Sequence, residues 1–178
     1  EREKINAGVE QAVACLLAAY PGRSFRVLSS LAEGADRLLA KRLLQLPGAE
    51  LWVPLPLPEA EYRQDFSTPA SQAEFDELLG QAQRVILLPP VMHREQGYLE
   101  AGRYIMDHSE VLLAIWDGQP AQGKAGTAEF IRMARLRDIP LAWIHAGNRL
   151  PGTSTPTSLG SDQGKLTCEN FPPMGETA

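Results

Sequence analysis

Cysteine is nearly absent, with two in 178 residues: Cys15 inside an apolar helical pattern and Cys168 in a polar stretch. That excludes a disulfide framework and a thiolate metal cluster, and it fits a reducing cytoplasm. Histidine is as sparse: His93, His108 and His145 show no ligand-like spacing, so neither a metal site nor a cofactor is expected. Positive charge is short as well. Seventeen Lys and Arg against 22 Asp and Glu leave a net charge of -5, with the basic side chains scattered, which sets nucleic acid aside as a main partner. No apolar run approaches the roughly 20 residues of a bilayer span, so no membrane partner is expected. Gly-x-Ser-x-Gly, Gly-x-x-x-x-Gly-Lys-Ser/Thr and Gly-x-Gly-x-x-Gly are all missing, which removes the simplest hydrolase and nucleotide-loop signatures.

What is present is a globular balance, 44% hydrophobic and 22% charged, in a length suited to one compact domain. Val9, Val13, Leu16 and Leu17 recur at helical spacing until Pro21-Gly22. Strand patterns follow at Ser24–Ser29, Glu50–Leu55, Arg84–Leu88, Val111–Trp116 and Leu141–His145, with helical patterns between them. Ser71-Gln72-Ala73-Glu74 has capping-box spacing and predicts a helix start. This alternation predicts an α/β fold, Rossmann-like, with a mainly parallel sheet and helices on both faces. Val111–Trp116, continuously apolar, is expected to be its buried central strand. Trp52, Trp116 and Trp143 all fall on strands, where core packing is expected. Residues 1–147 form the predicted domain, and 148–178 a flexible tail, since Pro, Gly, Ser and Thr supply 16 of the 28 residues from Pro151 onward. A strand supplied from upstream of Glu1, or a fused upstream domain, is a further expectation, because such domains normally open with a strand.

Ligands of parallel sheets bind at the carboxyl ends of the strands, which directs attention to two loops. One runs from Asp117 and Gly118 through Gly123 and Gly126 to Thr127 and Glu129. A helix start there exposes free N–H groups, and glycine lets a phosphate approach the backbone. The other is Ser29, Ser30, Glu33, Gly34, Asp36 and Arg37, again a strand leading through a small-residue loop into a helix. Plain turn formation and helix capping explain the same residues and stay open beside the ligand reading. Arg103, four residues before Asp107, reads equally as a surface ion pair or as a phosphate holder.

The stretches Leu28–Arg37, Glu61–Phe66, and Asp107–Gly118 followed by Gly126-Thr127-Ala128-Glu129 resemble the SLOG superfamily over about residues 1–147. That group of Rossmann-like domains includes DNA-processing proteins, Lonely Guy phosphoribohydrolases and nucleotide-sensing regions of melastatin-type channels. The resemblance implies a nucleotide or nucleotide-derived ligand over the sheet, its phosphate at Gly123, Gly126, Thr127 and Glu129, in a cytosolic sensor domain that could form homo-oligomers. Phosphoribohydrolase chemistry, with Glu129 and Arg103 as catalytic residues, is the alternative. An interaction module with a vestigial cleft is another. The sequence departs from the hydrolase branch: Gly123-Lys124-Ala125-Gly126-Thr127 stands where that branch has Pro-Gly-Gly-x-Gly-Thr, and Met92-His93-Arg94-Glu95 does not match its Met-His-x-Arg-Lys stretch.

Overall fold

The computed structural model describes residues 1–120, 126–150, 153 and 155–173. It is α/β with mostly parallel strands, as the alternating pattern predicts. Strand pairing forms two three-stranded sheets, and the chain divides into two compact units.

The first unit is discontinuous in sequence, joining residues 1–23 to residues from 110 onward. It holds helix α1 (Arg2–Ala19), strands β4 (Leu112–Trp116), β5 (Leu141–His145) and β6 (Leu166–Glu169), and helix α6 (Thr127–Leu136). β4 and β5 pair parallel, and β6 joins β5 antiparallel. Side chains alternate along a strand. Leu141 therefore faces α6, where it packs with Ala114 and Ile131, while Ile144 faces α1 at Gly8. Helices thus cover both faces of this sheet. A Cβ at Gly8 would overlap the Gly164 carbonyl, so glycine is what lets α1 lie directly on the turn before β6.

Two expectations are corrected here. Val111–Trp116 is not the central, fully covered strand: β4 flanks β5 in the order β4-β5-β6, and of its residues only Ala114 is buried. β5 has partners on both sides, and its Leu141, Ala142 and Ile144 are fully buried. The presumed tail also contributes structure. Leu166–Glu169 is β6, and Gln163 is buried with its side-chain oxygen accepting the N–H groups of Gly147 and Leu159. Low apolar content did not prevent pairing, because an edge strand needs only its backbone and one covered face.

The second unit has β1 (Arg26–Leu28), β2 (Glu50–Leu55) and β3 (Arg84–Leu87), all parallel in the order β1-β2-β3. Its helices are α2 (Ala35–Leu43), α3 (Glu59–Tyr62), α4 (Pro69–Gly80) and α5 (Arg94–Asp107). Leu51, Val53 and Leu55 of β2 are buried. Tyr62 meets Phe66, Phe75 and Tyr98 edge-on, which builds an aromatic core beside the sheet. α4 starts earlier than the capping-box pattern predicts: Pro69 opens it and Thr68 caps it, its hydroxyl accepting the Ser71 N–H at 3.1 Å. Ser71 and Glu74 serve instead as acceptors for Arg37. Trp52 is not simply core, since the guanidinium groups of Arg26 and Arg84 lie 3.8 and 4.9 Å from its ring.

Candidate ligand-binding site

The two sequence-predicted loops fall in different units and are built differently. In the second unit, the loop after β1 is stitched internally. Ser29 Oγ accepts the Leu31 N–H at 3.1 Å, and the Ser30 hydroxyl donates to the Pro54 carbonyl at 2.8 Å. Leu31 takes a left-handed φ of 58° and is wholly buried, and Gly34 has φ 101° at the start of α2, a conformation that glycine adopts without strain. Glu33 is exposed.

Arg37 turns inward. Its Nε donates to the Leu31 carbonyl at 2.9 Å, and Nη1 donates to the Ser71 carbonyl, the Ser71 hydroxyl and the Glu74 carboxylate at 2.8 to 3.0 Å. Phe66 lies under the guanidinium at 4.2 Å. Nη2 is buried and finds no hydrogen-bond partner among the described residues. Asp36 next to it is only partly exposed, and burial pushes its carboxyl up to about 6 against the pull of the Ala32 backbone and Arg37. The same burial, with the Asp36 and Asp65 carboxylates nearby, raises the Tyr62 phenol above its usual range.

In the first unit the site begins where β4 ends. Asp117 Oδ1 accepts the Gln119 N–H at 3.0 Å, making a side-chain turn. Gly118 has φ 79°, and a Cβ there would lie 3.5 Å from the Trp143 ring. The loop is pinned by both indoles: Trp116 Nε1 donates to the Gln119 carbonyl and Trp143 Nε1 to the Trp116 carbonyl, each at 3.0 Å. Trp143 and His145 stack with centroids 3.8 Å apart and planes 13° apart, and Trp116 leans on Trp143 at 4.9 Å. All three rings are partly exposed, and both indoles pack against the cluster containing Ile131, one turn into α6.

α6 starts at Gly126 and Thr127. Gly126 is extended, nothing among the described residues lies near its missing Cβ, and no described side chain caps the first turn. Thr127 is exposed. The Gly126 carbonyl accepts the N–H groups of Glu129 and Phe130. Glu129 is held by Arg132 through two bonds of 2.7 and 2.9 Å. Arg103, on α5 in the second unit, pairs with Glu100 at 3.0 Å. Gly123 lies outside the described residues.

His145 ends the row of rings. Its Nε2 meets the Thr167 hydroxyl at 2.8 Å, and partial burial holds the imidazole below its usual pKa, so it is neutral at pH 7. It also lines an open cavity of about 550 Å³ with Gln11, Asp162, Lys165 and Thr167. Sequence reasoning assigned the tryptophans to the core and passed over this row. The signal was available in Trp143 and His145, two apart on one strand and therefore on one face. Among the described residues no cluster of three or more His, Cys, Asp or Glu is placed to hold a metal, and no helix is long and apolar enough to cross a membrane.

No protein-family model matches this chain, and no curated protein matches it in sequence.

Proposed function

We propose that this chain binds a nucleotide or nucleotide-derived ligand in the first unit and acts as a cytosolic sensor or regulatory domain. The observation that carries this reading is the half-buried row Trp116, Trp143 and His145 on the sheet face that also carries α6, whose first turn has no side-chain cap among the described residues. Aromatic stacking accepts any base and is worth about 1–3 kcal/mol per base. A helix start offers N–H donors and partial positive charge to a phosphate. The two together suit a molecule with a flat heterocycle at one end and an anion at the other. The resemblance to the SLOG superfamily points the same way.

The hydrolase alternative draws less support. Glu129 and Arg103 each engage an oppositely charged neighbour on their own helix.

The test is a titration of the full chain with AMP and ADP-ribose, read by tryptophan fluorescence and thermal shift. Binding should quench the indoles and raise the melting temperature. Gly126→Asp should abolish both effects by adding a negative charge where the phosphate sits, while leaving the fold intact. Equal shifts in wild type and variant, or none in either, would remove this site assignment.

A further inference from the structure

Cys15 of α1 and Cys168 of β6, separated by 153 positions in sequence, bring their sulfurs to 3.1 Å within the first unit. We propose that these two thiols are a modification site: a reversible disulfide that fastens β6 to α1 when a hydroperoxide reaches the protein. Scarcity of cysteine excludes a disulfide framework, yet the fold brings the two that exist together.

The approach is held from both sides. Seven residues before Cys15 on α1, Gly8 lies directly against the Gly164 carbonyl. Beyond it, Tyr20 at the end of the helix meets Phe171 at the end of the strand, with ring centroids 6.3 Å apart. Helix and strand therefore run alongside each other, and the thiols lie between two fixed contacts. Positions seven apart share a helix face, so Cys15 points to the strand as Gly8 does. A disulfide needs sulfurs about 2.0 Å apart. From 3.1 Å, small rotations of the two side chains suffice. Cys168 is exposed and Cys15 half-buried, so an oxidant has access.

The chemistry closes without further partners. A Cys15 thiolate attacks one oxygen of the hydroperoxide, the O–O bond breaks, and the sulfur becomes a sulfenic acid. The Cys168 sulfur then attacks the Cys15 sulfur, the S–O bond breaks, and the oxygen leaves as water. Two thiols and one hydrogen peroxide give one disulfide and two waters; both sulfurs are oxidised and the peroxide is reduced. A dithiol reverses the reaction by exchange.

The experiment treats the reduced full chain with equimolar hydrogen peroxide, then alkylates and digests it without reductant. The expected result is an intact mass lower by two hydrogens, one linked peptide joining Cys15 to Cys168, and full recovery of both thiols with dithiothreitol. Amide exchange across Leu166–Glu169 should slow at least tenfold in the oxidised form. Cys15→Ser and Cys168→Ser should each abolish the link, and the wild-type peptide map stands even where a variant folds poorly. Oxidation of each thiol to sulfinic acid without a linked peptide, a link only between chains, or unchanged exchange in the linked form would overturn the proposal.

Discussion

Arg37 donates from Nε to the Leu31 carbonyl and from Nη1 to the Ser71 carbonyl, so a single guanidinium ties the loop after β1 to the first turn of α4. The planar fork makes this possible, since it donates from nitrogens set apart in space whereas a lysine donates only from one atom.

Replacing Arg37 should therefore unfold the second unit more readily. Arg37→Ala leaves two buried carbonyls without donors and a gap over Phe66, and should cost about 3–5 kcal/mol, read as a lower denaturant midpoint. Arg37→Lys should recover only a minor part. A loss below about 1 kcal/mol for Arg37→Ala would show that the guanidinium is not a structural tie.

Asp36 works in the opposite direction. Its folded pKa of about 6 lies above the ordinary value of 3.8, so the folded chain holds a proton that the unfolded chain has released. The stabilising effect is full below pH 3.8 and is lost as the pH rises through about 6. Asp36→Asn should flatten the stability profile across that window and raise stability at neutral pH by up to about 3 kcal/mol. Chemical denaturation at several pH values measures it.

Two glycines should respond to a methyl group to different extents. A Cβ at Gly97 would collide with the Pro56 carbonyl, so Gly97→Ala must push α5 off its seat and should cost about 2 kcal/mol. Gly126 is extended and nothing among the described residues lies near its missing Cβ, so Gly126→Ala should change stability by less than about 1 kcal/mol. Melting temperatures of the pair decide.

Incubation with a panel of nucleoside monophosphates should release no free base, followed by chromatography. Base release that disappears in Glu129→Gln while binding persists would reverse the choice between sensor and hydrolase. The Arg132 partner on Glu129 makes the negative result the expected one.

Much of the architecture was legible from periodicity. The strands Glu50–Leu55 and Leu141–His145 match their predicted spans, and the helix predicted over Thr127–Arg137 is α6. Strand order was not legible, because an apolar run such as Val111–Trp116 records hydrophobicity and not how many neighbours the strand acquires. β6 was hidden by its Ser, Thr and Gly surroundings. At the candidate site, Ser30 and Arg37 read as ligand residues because a polar side chain after a strand looks the same whether it faces a ligand or a carbonyl. Only the fold reveals that the Ser30 hydroxyl bonds the Pro54 carbonyl and that Arg37 commits Nε and Nη1 to Leu31 and Ser71. The meeting of Cys15 with Cys168 had no local signal at all.

The discontinuous make-up of the first unit has a consequence for synthesis on the ribosome. Every strand and helix of the second unit is complete by residue 109, whereas the first waits for β6, which ends at Glu169. The intervening 60 residues, 109 to 169, correspond to about 3–12 s of translation. For that interval α1, which precedes the whole second unit in sequence, lacks the completed sheet that covers Val9, Val13 and Leu16. A helix made before the second unit thus settles after it, and nascent chains that end before β6 should be the form most in need of chaperone cover.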